Sequence, residues 1–92
     1  MFKVLISDSM SNVAQSIFEK NKISVDIKVG LSEEEIIKII PEYDAIAVRS
    51  ATKVTQKIIQ AAKNLKVIGR AGAGVDNIDI SSAKEKNIIV MN

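Results

Sequence analysis

Two arginines, a glycine-bearing loop and the lack of any histidine set what this sequence can do chemically. Arg49 leads Arg49-Ser50-Ala51-Thr52, and Arg70 leads Arg70-Ala71-Gly72-Ala73-Gly74-Val75-Asp76-Asn77. A guanidinium is always charged and presents five donors in a planar fork that matches a carboxylate or phosphate. Glycine lets a backbone turn sharply or approach a ligand closely. A run of loop N–H groups leading into a helix is an ordinary place for an anion. Arg49, Ser50, Arg70 and the loop Ala71, Gly72, Ala73 and Gly74 are therefore the candidate binding residues, for a small ligand carrying a carboxylate and a phosphate. The competing reading is structural, with Asp8, Asp76 or Asp79 pairing the two arginines.

Eleven of the thirteen basic residues are lysine, and both arginines fall where a strand is expected to end. Histidine, the side chain most used for proton transfer near neutrality, is missing, and so is cysteine. If the chain belongs to an enzyme, some of its chemistry is expected to lie elsewhere. Glu33, Glu34 and Glu35 are adjacent acids, but they fit the first turn of a helix and its dipole better than a metal site.

The elements that must carry these residues are short and regularly punctuated. Lys3–Ser7 is an apolar run that reads as a buried strand. A helix is expected from an N-cap at Ser11, with Val13, Ala14, Ile17 and Phe18 on one face and Asn21 as its stop. Ser24–Lys28 alternates polar and apolar, as an edge strand does. Gly30 turns the chain, Ser32 and Glu35 form a capping box, and Pro41 ends a helix whose buried face is Ile36, Ile37, Ile39 and Ile40. Asp44–Val48 is a further strand. Thr55 caps the next helix, with Val54 and Ile59 spaced as a hydrophobic staple and Ile58, Ile59, Ala61 and Ala62 facing the core. Lys66–Gly69 is the fourth strand, Asp79 caps a helix to Lys86, and Ile88–Met91 is the fifth strand.

Strands alternating with helices specify an α/β fold with a parallel sheet covered on both faces. Five strands suit the flavodoxin-like order 2-1-3-4-5, which puts the alternating Ser24–Lys28 at one edge and the apolar Ile88–Met91 at the other. An apolar edge at the end of the chain suggests that something covers it and that the chain is cut short. In such sheets ligands sit beyond the carboxyl ends of the strands, near the switch in strand order. That rim would receive Arg49, Ser50, Arg70 and the glycine loop together.

Ninety-two residues make one small domain, and 47% hydrophobic with 26% charged residues is a globular composition. The net charge of +2 and the scattered lysines do not favour a nucleic-acid partner. No apolar run approaches the roughly 20 residues of a membrane span, and Met1-Phe2-Lys3 runs straight into a strand without a signal peptide. A cytoplasmic location is expected. Gly72-Ala73-Gly74-Val75-Asp76-Asn77 reads G-x-G-x-x-N, lacks the third glycine of a dinucleotide fingerprint and follows the fourth strand, so it is a poor match to an NAD phosphate site.

Val48-Arg-Ser-Ala-Thr-Lys-Val-Thr55 and Gly69-Arg-Ala-Gly-Ala-Gly-Val-Asp-Asn-Ile-Asp79 closely resemble the phosphoglycerate branch of the D-2-hydroxyacid dehydrogenases. Lys3 to Asp8 and Ile88 to Asn92 resemble the first and fifth strands of that family, so the likeness covers the whole chain. The resemblance implies NAD-dependent oxidation of 3-phosphoglycerate to 3-phosphohydroxypyruvate, at the entry to serine biosynthesis. It implies that residues 1–92 are the amino-terminal part of a substrate-binding domain, inactive alone. The NAD-binding domain and the catalytic arginine, glutamate and histidine then lie beyond Asn92. It also implies that Arg49, Ser50 and Arg70 hold the anionic substrate. The backbone of Ala71 to Gly74 would face substrate and, at Ala73, the nicotinamide; the whole enzyme would be a homo-oligomer. Two other readings use the same fold: a free-standing module that binds or senses a small anion, and a receiver-type signalling domain. The second needs an acceptor aspartate where Arg49 stands and a lysine where Met91-Asn92 stands.

Overall fold

The computed structural model describes residues 2–8, 23–71 and 76–91. Five strands form one sheet: β1 (Lys3–Ile6), β2 (Ser24–Ile27), β3 (Ala45–Val48), β4 (Val67–Arg70) and β5 (Ile89–Met91). Their order is β2-β1-β3-β4-β5, and every neighbouring pair is parallel. The two strands expected at the edges are at the edges. The helix expected after Ser11 lies outside the described residues.

Alternation along the strands separates two apolar faces. Leu5, Ile46, Val48 and Ile68 point to one face, where they meet α1 (Glu33–Ile39), α2 (Gln56–Ala61) and α3 (Ile80–Glu85) through Ile36, Ile58, Ile59 and Ala83. Val4, Ile6 and Ala45 form a second, smaller cluster on the opposite face. β1 and β3 are buried on both sides, which is why they read as unbroken apolar runs rather than alternating ones. At the far edge the apolar residues of β5 are less covered, with Ile89 59% and Met91 54% exposed.

The helices start where their caps say they should. Ser32 accepts from the Glu35 N–H while the Glu35 carboxylate accepts from the Ser32 N–H, completing the capping box. Those bonds, the one from the Ser32 backbone first, hold the Glu35 carboxyl below its ordinary pKa. Thr55 and Asp79 cap α2 and α3 by accepting from the N–H groups of Ile58 and Ser82. Pro41 does not end the helical path outright: α1 closes at Ile39 and a 3₁₀ turn, Ile40–Glu42, carries the proline in its first turn. Gly30 (φ 80°) and Asn87 (φ 58°) take the left-handed conformation at the turns expected of them. Of the four isoleucines assigned to the face of the first of these helices, Ile36 and Ile40 are buried and Ile37 and Ile39 only partly so.

The amino end of the sheet is tied by polar groups. The Asp44 carboxylate accepts from the Lys3 N–H at 2.9 Å and from the Lys66 ammonium at 2.7 Å, and its pKa is lowered, chiefly by Lys66. Tyr43, 1% exposed, donates to Asp26 at 2.6 Å. Burial first, then that bond to a carboxylate, raise the phenol's pKa well above the usual tyrosine range. Among the described residues no helix is long and apolar enough to cross a membrane.

Candidate functional site

The carboxyl rim of the sheet is built from three strand ends. β1 runs into Ser7 and Asp8, β3 into Arg49-Ser50-Ala51-Thr52, and β4 ends on Arg70 followed by Ala71. β1 and β3 are neighbours across the reversal in strand order, the usual ligand position in this architecture.

Arg70, one residue past the strand expected at Lys66–Gly69, is the last residue of β4, paired in register with Val48. The next residue of β3 is Arg49. The two arginines therefore leave the sheet at the ends of adjacent strands, which lie about 5 Å apart. Arg49 and Ser50 are exposed, whereas the Arg70 side chain is only 12% exposed. Ala71 extends the ladder by donating its N–H to the Val48 carbonyl at 2.9 Å. Gly72, Ala73 and Gly74 lie outside the described residues.

The three acids proposed as arginine partners have distinct tasks. Asp76 approaches Arg70 at 3.8 Å, a long contact from a side chain that is 90% exposed. Asp79 accepts from the Ser82 N–H at the start of α3. Asp8, 4% exposed, accepts at Oδ2 from the backbone N–H groups of Arg49 (2.7 Å) and Thr52 (2.9 Å), and at Oδ1 from the Thr52 hydroxyl (2.6 Å). A buried carboxylate needs such donors, and here they come from the loop that carries the candidate ligand residues.

Sequence reasoning missed the other half of this arrangement. Asn77 donates from Nδ2 to the carbonyls of Arg49 (2.7 Å) and Thr52 (2.6 Å). Its own carbonyl accepts from Val54 at 2.9 Å, and Val54 and Ile78 form an isolated parallel bridge. Val54, expected only as a staple for α2, therefore also ties the loop after β3 to the segment after β4. An asparagine two residues before a capping aspartate was the available signal, but nothing in its spacing names partners 25 and 28 residues away.

An open pocket of about 630 Å³ adjoins this rim, lined by Ser50, Lys53, Thr55, Gln56, Asp76 and Asn77 among others, but by neither arginine. Of the candidate binding residues that are described, Ser50 reaches this pocket, while Arg49 and Arg70 stand at the strand ends outside it. The acidic triplet is engaged at the helix start: Glu35 in its capping box, Glu33 accepting from the Thr55 hydroxyl at 2.6 Å. Among the described residues no cluster of metal-ligating side chains forms. Dinucleotide folds hold the pyrophosphate on N–H donors just beyond their first strand. At that place this chain has Asp8, a buried acid already bonded to three donors and ill suited to a second anion.

Residues 4–92 match the family model for the D-isomer specific 2-hydroxyacid dehydrogenase catalytic domain. The chain belongs to that family. It is 61% identical over 92 residues to the D-3-phosphoglycerate dehydrogenase of Synechocystis sp., covering all of this chain and 16% of the relative. To the D-3-phosphoglycerate dehydrogenase of Archaeoglobus fulgidus it is 53% identical over 90 residues, 98% of this chain and 17% of the relative. A hydroxypyruvate reductase of Thermotoga maritima is 49% identical over 92 residues, 99% of this chain and 30% of the relative. The chain thus spans less than a third of each of these proteins. Among solved structures, the PH0520 protein of Pyrococcus horikoshii superposes with a TM-score of 0.94 at 33% identity, over 100% of this chain and 28% of that one. The NAD+-bound 3-phosphoglycerate dehydrogenase of Entamoeba histolytica gives 0.87 at 34% identity, over 99% of this chain and 32% of that one.

Proposed function

We infer that this chain is the amino-terminal part of the substrate-binding domain of an NAD-dependent dehydrogenase that oxidises 3-phosphoglycerate to 3-phosphohydroxypyruvate. The observation that carries the reading is the register of Val48 with Arg70, which sets Arg49 and Arg70 on adjacent strand ends at the ligand rim. The likeness to the Synechocystis enzyme supports the choice of substrate. In this reading Arg49, Ser50 and Arg70 hold the substrate's anionic groups. The backbone of Ala71, Gly72, Ala73 and Gly74 lines the same cleft, with Ala73 toward the nicotinamide. NAD is held by residues outside this chain, and the whole enzyme is a cytoplasmic homo-oligomer.

The chain's own contribution is then binding and orientation. Oxidising an alcohol requires a group that takes the hydroxyl proton, positioned beside the reacting carbon. An arginine is permanently protonated and cannot be that group. Asp8 is buried and already accepts three hydrogen bonds from the Arg49–Thr52 loop. The isolated chain is therefore expected to bind 3-phosphoglycerate weakly and salt-sensitively and to turn nothing over, because the second wall of the cleft is contributed from elsewhere. Calorimetry with 3-phosphoglycerate and with NAD, together with NADH absorbance in their mixture, tests this. Turnover above background, or micromolar NAD binding, would show that catalytic or cofactor groups had been assigned to the wrong part of the enzyme.

A further inference from the structure

Among the described residues, two side chains hold the backbone N–H and C=O groups at both ends of the Arg49–Thr52 loop. Asp8 accepts from the N–H of Arg49 and the N–H and hydroxyl of Thr52. Asn77 donates to the C=O of the same two residues. The buried acid, 41 and 44 residues upstream, takes the donors; the amide, 28 and 25 residues downstream, takes the acceptors. Between the clamped ends Ser50 and Ala51 stay exposed, and the Arg49 side chain is exposed as well. We propose that Asp8 and Asn77 are positioning residues: together they clasp the Arg49–Thr52 loop and lock the anion-binding groups of β3 to those of β4. The proposal rests on the substrate-binding reading above.

The chemistry of the two clasping groups is not interchangeable. A carboxylate only accepts, and a primary amide carries the two N–H donors that two carbonyls require. Asn77→Asp would place a carboxylate against the carbonyl oxygens of Arg49 and Thr52. Asp8→Asn would turn an amide toward N–H groups and remove the charge that strengthens three bonds. Asn77 is also anchored on its own backbone, through the Val54 N–H and the bridge between Val54 and Ile78. Asn77 and Ile78 are thereby tied to the loop after β3 through side chain and backbone alike. Ligand-holding groups need support of this kind, because a displacement of about 1 Å can cost on the order of a hundredfold in rate.

The test uses the 92-residue chain with Asn77→Ala, Asn77→Asp and Asp8→Asn substitutions, followed by amide hydrogen exchange and by titration with 3-phosphoglycerate. In the Asn77 variants protection at the Arg49 and Thr52 amides should fall at least tenfold while that at Ile46 and Ile68 in the core holds. Phosphoglycerate affinity should fall at least fivefold in step. A merely structural role would lower protection in core and loop together and leave the affinity of the folded fraction unchanged. Unchanged protection at Arg49 and Thr52 would overturn the clasp, and lost protection with unchanged affinity would overturn its positioning role. Asp8→Asn is read the same way as long as its core amides stay protected; if they do not, the Asn77 variants decide alone. Should the unsubstituted chain bind no phosphoglycerate, the substrate reading fails, and the exchange data still decide the clasp.

Discussion

Replacing Arg70 by lysine, beside an Asp76→Ala control, separates a ligand-holding arginine from a structural one. The Arg70–Asp76 contact is 3.8 Å long and Asp76 is 90% exposed, so the pair is a surface ion pair, worth about 0–1 kcal/mol. Asp76→Ala should therefore change stability by less than about 1 kcal/mol, and the melting temperature by no more than about 4–8 °C in a domain of this size. Arg70→Lys keeps the charge and loses the planar fork. If the fork holds a phosphate or carboxylate, one charge-assisted hydrogen bond of roughly 1.5–3 kcal/mol is lost, about ten- to a hundredfold in affinity. Calorimetric titration with 3-phosphoglycerate at low salt measures the second effect and thermal melting the first. Unchanged affinity in Arg70→Lys, together with a large loss of stability in Asp76→Ala, would refute the reasoning and leave Arg70 as a structural residue.

Three further outcomes follow from the ties elsewhere in the sheet. Asp44 has a lowered pKa because its charged form is bonded to Lys66 and Lys3. Its contribution is present above the ordinary aspartate value of about 3.9 and is lost as pH falls through the folded value, so Asp44→Asn should flatten the acid limb of stability against pH in urea titrations. Tyr43 is the only tyrosine and there is no tryptophan, so tyrosinate absorbance reports it alone. With its pKa raised, the folded chain should show little ionisation at pH 10–11, and stability should fall as pH rises past the unfolded value of about 10; a folded midpoint near 10 would contradict the Asp26 bond and the burial. Ser32→Ala removes one side of the capping box and should cost about 1 kcal/mol in chemical denaturation, where no change would mean the box adds nothing to α1.

Much of this architecture is legible because its punctuation is local. Ser32, Thr55, Asp79, Gly30 and Asn87 each act within a few residues of themselves, so sequence places the helix starts and the turns. The strand order is also readable, because Ser24–Ile27 alternates and β1, β3 and β4 do not. What eludes the sequence is polar pairing across strands. Asp8 reads as an ion-pair partner for an arginine side chain rather than as an acceptor for backbone N–H groups, Asn77 as part of the loop motif and Asp26 as the wet face of an edge strand. Their partners, Arg49 and Thr52 for the first two and Tyr43 for the third, are adjacent only after the sheet has formed. Arg70 reads as one residue past the fourth strand because glycines follow it, yet the ladder to Val48 takes it into β4. At the candidate site, sequence names the candidate ligand groups, and the fold alone reveals that Asp8 and Asn77 hold the backbone of Arg49 and Thr52.

The central claim is that these residues form the substrate-holding part of a phosphoglycerate dehydrogenase, and exchange of segments tests it directly. The 92-residue matching segment of the Synechocystis enzyme, 61% identical, is replaced by this chain, and NADH formation from 3-phosphoglycerate and NAD is followed. The expected result is an active enzyme whose KM for 3-phosphoglycerate rises at least tenfold with Arg70→Lys while its KM for NAD stays constant. A folded chimaera that oxidises no 3-phosphoglycerate, or whose KM ignores Arg49→Lys and Arg70→Lys alike, would contradict it.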